Sequence, residues 1–408
     1  MRKQRIIFIG YWGIRDGLTK ATILPWLKVM QESEAVEQVV FCSIEREGNL
    51  SSGEVLPTEY SKVRHHPFFP DVNGIALLTK ISDFLKFPKA IASLASETKA
   101  TALFSHGAPA GALAYRVWKK TGLPFYVSSF EPHANYMLES RVWKKHGLKY
   151  NFQKYWERQQ ENYASGLMPV SEKYRQALLK RGLSPDKVVT VPSPVAVATF
   201  KYSPEMRIAT RVELGWEENL IGIYIGKYGG LYLESEAFEI YAQCFKLIPD
   251  FRLIILTPGK ADEVYTYLSA QSINPAHVLV KSVAYEEVPR YLSAADFAFA
   301  TYKPGPSKIA TSPVKVGEYW ANGLPVLLTE GVGDESDIMM QEGGGGALFT
   351  PGKQDSLKKA IHQILSTLKE PQHRSHIPQL VKKYRPANCM NEAFLHFFAS
   401  NKRGEGKV

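Results

Sequence analysis

Short apolar runs alternate with segments of helical periodicity along both halves of the chain. In the first half the runs cover residues 5–11, 39–44, 101–105, 125–130, 166–170 and 188–191. In the second they cover 220–225, 251–257, 277–283, 296–301, 324–329 and 347–350. Runs of four to eight apolar residues separated by helical stretches predict parallel, doubly wound sheets, so the fold class is α/β. Between the halves, VPSPVAVATFKYSP carries the prolines and small residues of a hinge. The expected organisation is therefore a first domain at 1–195, a hinge at 196–204 and a second domain at 205–387. A last helical segment, 388–400, is apolar on one side. In sheets of this kind ligands bind beyond the carboxyl ends of the strands.

At 408 residues the chain is long enough for two cores, and 45% apolar with 22% charged residues is the balance of a folded protein. Cys42, Cys244 and Cys389 lie far apart without metal-ligand spacing, which fits reduced thiols in a cytoplasmic protein. The opening MRKQRIIFIGYWG reads as a first strand, its apolar run being too short for a signal segment, and no run reaches transmembrane length. Charge is more telling. Residues 1–200 hold 27 Lys+Arg against 17 Asp+Glu, and residues 201–408 hold 23 against 23, so the whole excess of +10 sits in the first half. There RVWKKTGLPF (from Arg116), RVWKKHGLKY (from Arg141) and LLTKISDFLKFPKAIASL (from Leu77) mix aromatic or apolar residues with lysines. Such segments suit an anionic bilayer face or a phosphorylated lipid, and equally suit solvated helix ends. No nucleic-acid motif accompanies the charge.

The stretch SPVKVGEYWANGLPVLLTEGVGDESDI, from Ser312 to Ile338, carries the most chemistry. Ser312 is a suitable N-cap and Pro313 a suitable first residue for a helix that ends near Gly323. Its start, including Val314, presents free N–H groups and the positive end of the dipole, and Lys315 adds a full charge for a phosphate or diphosphate. Glu318 shares the face of Lys315 and can accept hydrogen bonds from sugar hydroxyls. The same spacing also suits an ordinary capped helix with a surface Lys–Glu pair. A second anion site is expected after the 220–225 run, where Gly226, Lys227, Tyr228, Gly229 and Gly230 follow directly. Glycines there let the backbone approach a diphosphate that Lys227 can neutralise. In the first domain Gly13 and Gly17 follow the opening run and can close over the phosphates from the other side, with Gly17 preferred of the two.

The 312–338 stretch resembles the donor-binding signature of the retaining GT-B glycosyltransferases of family four, in an SPxK variant. The likeness extends over nearly the whole chain and is strongest at about 220–349. It implies two Rossmann-like domains facing across a cleft, a last segment at about 388–408 crossing back to the first domain, a nucleotide-sugar donor held by the second domain, and an acceptor held by the first. A glutamate at the position of Glu318 holds the donor ribose in that family, and Ala321, Gly323 and Pro325 match its small residue, Gly and Pro. Where the family has a second glutamate, eight positions earlier, this chain has Ala310. Lys227 stands at the usual arginine. The resemblance implies transfer with retention, without a covalent intermediate and without a metal or other cofactor.

Fixed positive charge at Lys227 and Lys315 fits the chemistry of a leaving diphosphate and an oxocarbenium-like sugar. Acceptor-side candidates are His106 in SHG, and Glu131 and His133 in SFEPHANYM, all at strand ends where site residues gather. Relatives commonly carry a histidine at the position aligned with Glu131, so either Glu131 or the displaced His133 is expected to act there. The loop YKPGPSKIAT before the donor helix either folds over the sugar or connects. Asn49-Leu50-Ser51 matches a glycosylation sequon without meaning in the cytoplasm. The overall expectation is a cytoplasmic hexosyltransferase, peripheral on the inner membrane face, serving bacterial cell-surface polysaccharide or glycolipid synthesis with a sugar or lipid-linked acceptor. Two other readings are a nucleotide-sugar epimerase on a similar fold and a non-catalytic sugar or lipid-head binding protein.

Overall fold

The computed structural model describes residues 3–46, 56, 59–70 and 76–398, with the backbone alone for 76–81. The sequon at 49–51 lies outside them. The first sheet holds β1 (Gln4–Ile9), β2 (Val36–Ile44), β3 (Val63–Phe68), β4 (Ala102–His106), β5 (Phe125–Phe130) and β6 (Gly166–Pro169), in the order β3-β2-β1-β4-β5-β6. The second holds β7 (Leu220–Ile225), β8 (Phe251–Leu256), β9 (Val278–Lys281), β10 (Phe297–Ala300), β11 (Val326–Thr329) and β12 (Gly346–Phe349), in the order β12-β11-β10-β7-β8-β9. Every pairing in both is parallel. Read from β9, the second order repeats the first. Each sheet therefore reverses its winding once, between β1 and β4 and between β7 and β10, and there the covering helices part and leave a crevice at the strand ends.

Parallel strands covered on both faces must be apolar throughout, and β7, β8, β10 and β11 are almost wholly buried. The exception is β3, whose sequence VRHHPF shows no apolar run and is absent from the strands that periodicity predicts. It is an edge strand with one neighbour, half-exposed along its length, and an edge tolerates Pro67 because one side needs no ladder bond. The expected run 188–191 is not a sheet strand. It touches the sheet through a single bridge from Val188 to Leu167, continued by the N–H groups of Val189 and Val191 on the carbonyls of Leu167 and Pro169.

The chain divides into two compact units. One takes the residues up to Ala134, Lys145–Ser193 and the segment from Ala387 onward; the other takes Asn135–Lys144 and Pro194–Pro386. In the first unit the helix Cys389–Phe398 lays Phe394 and Phe398 into the core formed by Ile6, Phe8 and Met168, and Phe398 meets Tyr126 at 4.5 Å between ring centroids. Gly166 leaves the space that the neighbouring Phe397 ring fills.

In the second unit the helix Val314–Ala321 is the central packing element. Val316, Tyr319 and Trp320 are buried among Ile223, Ala298, Leu328 and Leu380. The Trp320 indole N–H donates to the Gly345 carbonyl at 2.7 Å, and Gly345 lies so close that a side chain there would collide with Leu380. Replacing Trp320 by Ala removes the largest fully buried side chain. The substitution is expected to cost about 3–5 kcal/mol, with Trp320→Phe costing less, read as the shift in the urea midpoint of the C-terminal unit.

Candidate active site

In the C-terminal unit the site is built where β7 and β10 diverge. After β7 the chain makes a left-handed turn at Gly226 (φ 134°), Gly229 (φ 75°) and Gly230 (φ 59°), a path that only glycine follows without strain. The Gly226 N–H donates to the Leu256 carbonyl, and the Tyr224 hydroxyl donates to the Lys227 carbonyl at 2.6 Å. The segment after this turn is then stitched to the end of β10. Tyr232 bridges Tyr302, the Leu233 N–H donates to Thr301, and the Lys303 N–H donates to Leu231.

Lys315 reaches into this corner. Its ammonium lies 3.9 Å from the centroid of Tyr232, 4.9 Å from Tyr224 and 5.7 Å from Tyr302. It is buried and has no hydrogen-bond partner among the described residues. A Cβ on Gly226 would stand 2.8 Å from this nitrogen, so glycine there is a requirement of space as well as of φ. Burial pulls the Lys315 pKa down to about 7, against the attraction of Glu318. The rings return part of the lost hydration through their faces, on the order of 2 kcal/mol for a desolvated cation.

Glu318, one turn on, is also buried. Burial pushes its carboxyl up to about 7, opposed by the hydrogen bond that the Tyr285 hydroxyl donates at 3.0 Å and by the charges of Lys315 and Arg385. The helix start is held from behind. Arg385 donates to the Pro313 carbonyl at 3.0 Å and to Glu335 at 2.5 Å, an ion pair wholly inside the unit. Ser312, expected as the N-cap, instead donates to Glu335 at 3.4 Å, and the cap position falls on Pro313 without a side-chain bond. The ion pair takes the hydroxyl that capping would have used. The N–H groups of Val314 and Lys315 precede the first helical bonds, which Val316 and Gly317 make to Pro313. At the other end of this element, the Ile225 N–H donates to the Tyr319 hydroxyl at 3.1 Å, tying the helix to β7.

Lys227 is exposed in the glycine turn. Ala310 is fully buried, so a longer side chain at that position must displace its neighbours. The preceding loop is pinned. The Glu139 carboxylate accepts from the Ser307 N–H at 3.0 Å and from its hydroxyl, and the Lys308 carbonyl accepts from the Gly333 N–H.

The other candidates belong to the N-terminal unit. At the β1–β4 divergence His106 ends β4, with Trp12 edge-on at 6.0 Å between ring centres. The Ser128 hydroxyl donates its one proton to the Ser105 carbonyl, so it accepts from His106 Nδ1 at 2.9 Å and leaves Nε2 as the unprotonated nitrogen. Burial lowers the His106 pKa to about 4, which keeps the ring neutral at pH 7. Glu131 and His133 meet each other at 3.1 Å. Burial lowers the His133 pKa, but the bond and charge of Glu131, with the charge of Glu157, prevail and raise it. Ser129, just before them, sits at φ 51°, and the β5–β6 register slips at that residue. On the β1 loop the demand for glycine falls on Gly13, where a Cβ would overlap the Glu45 carboxylate that accepts the Ile14 N–H. Gly17 is exposed with open space around it.

Two family models match the chain. Residues 38–199 match glycosyltransferase family 4, and residues 222–367 match glycosyl transferases group 1. The chain is a glycosyltransferase with the GT-B fold. Its solved structural neighbours share that fold at low identity. Anabaena HepE in complex with UDP-glucose aligns with a TM-score of 0.70 at 14% identity, over 97% of this chain and 99% of that one. Sucrose-phosphate synthase from Thermosynechococcus elongatus aligns at 0.72 and 14%, over 97% and 100%. WaaG, a glycosyltransferase involved in lipopolysaccharide biosynthesis, aligns at 0.71 and 14%, over 97% and 100%. A comparison with curated proteins finds no significant match.

In this glycosyltransferase the residues that sequence reasoning missed are the ones that set the environment of Lys315 and Glu318: Tyr224, Tyr232, Tyr302, Tyr285 and Arg385. Their spacing along the chain gives no pattern, because each comes from a different element. The lowered Lys315 pKa has a measurable consequence for stability. Between pH 7 and the ordinary lysine value of 10.5 the unfolded chain binds a proton that the folded one does not, so this group makes stability rise with pH across that window. Lys315→Met removes the buried charge and is expected to stabilise the unliganded enzyme at pH 7 by about 1–4 kcal/mol. The gain should vanish as pH approaches 10, read from urea midpoints of both proteins across the range.

Proposed function

We propose that this glycosyltransferase binds a nucleotide-sugar donor in its C-terminal unit and transfers the sugar, with retention of configuration, to an acceptor hydroxyl held by its N-terminal unit. The observation that carries this reading is the Lys315 ammonium: a buried cation without a hydrogen-bond partner among the described residues, beside a left-handed glycine turn and a helix start, lacks one thing, an anion. A diphosphate supplies it, with Gly226, Gly229 and Gly230 admitting its oxygens, the Val314 N–H donating, and Lys227 reaching in from the turn. Glu318 then receives the ribose hydroxyls. The HepE complex with UDP-glucose supports a donor of this chemistry.

The reaction breaks the bond from the anomeric carbon to the diphosphate oxygen and forms one to the acceptor oxygen on the same face. The acceptor proton passes to the departing diphosphate. Lys315 and Lys227 stabilise the charge that develops there, which makes a metal unnecessary in this reading. On the acceptor side Glu131 and His133 form one hydrogen-bonded pair that orients the hydroxyl, and His106, neutral with Nε2 unprotonated, accepts from a second. WaaG's role in lipopolysaccharide synthesis supports a sugar or lipid-linked acceptor in a bacterial surface-glycan pathway, on the cytoplasmic side.

The test is a thermal-shift panel with UDP, GDP, ADP and CMP, with and without chelator. One nucleoside diphosphate is expected to raise the melting temperature regardless of chelator. Glu318→Ala should weaken that nucleotide roughly tenfold to hundredfold, the worth of hydrogen bonds to a charged group. If no nucleotide shifts the wild-type enzyme, the donor assignment fails.

A further inference from the structure

The helix Leu148–Tyr163 in the N-terminal unit is amphipathic the wrong way round. Its buried side is polar: Gln153, Glu157 and Gln160 point inward. They are accommodated by hydrogen bonds, Gln160 to the Ala108 carbonyl at 3.0 Å, Glu157 from the Ala134 N–H at 2.7 Å, and Gln153 to Glu157 at 3.3 Å. Gly111 on the facing helix, Ala108–Thr121, supplies the room, since a Cβ there would overlap the Gln160 amide.

Its outer side is apolar. Leu148 is 87% exposed, Phe152 49%, Tyr155 51% and Tyr163 48%. At 100° per residue these four fall within an arc of about 80°, opposite the buried polar row. They extend an aromatic seam underneath, in which Phe84 meets Phe152 at 5.1 Å and Trp156 at 5.0 Å, and Trp118 meets Tyr163 at 5.1 Å.

The charge around the stripe has one sign. The exposed residues of the helix include Lys149 on one flank and Arg158 on the other, and no carboxylate. Its two acids are withdrawn, Glu157 into the interior and Glu161 into a pair with Arg181 at 2.8 Å. Lys119 and Lys120 stand exposed beside Trp118 at the end of the facing helix.

We propose that this face docks on an anionic lipid bilayer, with the helix lying in the interface plane. The rings of Phe152, Tyr155 and Tyr163 enter the headgroup boundary, and Lys149, Arg158 and the Lys119–Lys120 pair meet lipid phosphates. A second copy of the chain is disfavoured as occupant because it would bring the same cations face to face. No helix among the described residues is long and apolar enough to cross a membrane, and interfacial docking requires none.

The experiment is flotation of the full chain with vesicles of phosphatidylcholine alone and of phosphatidylcholine mixed with phosphatidylglycerol, at low and high salt. Wild type is expected to float with the mixed vesicles only, and to be released by salt. Phe152→Ser/Tyr155→Ser and, separately, Lys149→Glu/Arg158→Glu should each weaken binding by about tenfold or more, given the worth of each basic residue near a charged surface. Lys149 and Arg158 are exposed, so the melting temperature and nucleotide-induced shift of Lys149→Glu/Arg158→Glu should match wild type, while Phe152→Ser/Tyr155→Ser also loses ring contacts to Phe84 and Trp156 and is controlled by its retained nucleotide-induced shift. Loss of vesicle binding is thereby separated from loss of the donor site. Equal flotation with neutral vesicles, no flotation at all, or a concentration-dependent dimer abolished by Phe152→Ser/Tyr155→Ser would overturn the proposal.

Discussion

A buried ammonium with no hydrogen-bond acceptor among the described residues is the constraint around which the C-terminal unit is arranged. Taking a lysine out of water costs several kcal/mol, and a carboxylate at contact distance would be the simplest remedy. Here the acidic group one turn on, Glu318, accepts a hydrogen bond from Tyr285 instead, and the faces of Tyr232, Tyr224 and Tyr302 enclose Lys315. Rings stabilise a cation without neutralising it. The charge therefore stays available to a ligand, and the folded protein carries a local instability that binding can relieve. Glycine at 226, the Tyr232–Tyr302 bridge and the Arg385–Glu335 pair behind Pro313 all serve to keep that one nitrogen in place.

The two units solve the same geometric problem with different chemistry. Both sheets have the strand order 3-2-1-4-5-6 and diverge at the same point in that order. In the C-terminal unit the crevice is lined by glycine turns, a lysine and a helix start, which suits an anion. In the N-terminal unit the equivalent place carries Trp12 and a neutral His106, with the Glu131–His133 pair at the end of the adjacent β5, which suits neutral hydroxyls. The contrast runs opposite to overall charge, since the basic excess belongs to the first half of the chain. In the unit that carries it, exposed lysines and an arginine border an aromatic helix face.

Much of the fold was legible because a parallel strand buried on both faces has no choice but to be apolar. The runs at 220–225, 251–257 and 324–329 are such strands, and the turn chemistry of KYGG and the SPVK helix start were equally visible. The edge strand β3 was not, since one exposed side frees it from that rule and leaves VRHHPF looking like a loop. Ser312 was misplaced as a cap for a related reason: a local pattern cannot show that Glu335, twenty-three residues on, competes for the hydroxyl.

What the sequence determined by itself was therefore whatever depends on neighbours along the chain: strand periodicity, the α/β class, the glycine turn, and the spacing that sets Lys315 and Glu318 on one helix face. Tertiary structure alone decided what depends on neighbours in space. It placed three tyrosines from separate segments around one ammonium, fixed the His106 tautomer through Ser128, and turned Leu148–Tyr163 so that its glutamines face in and its aromatic rings face out. Desolvation is the physical reason for the division. The protonation of Lys315, Glu318 and His106 follows from how much water the surrounding elements exclude, and no single stretch of sequence contains those elements.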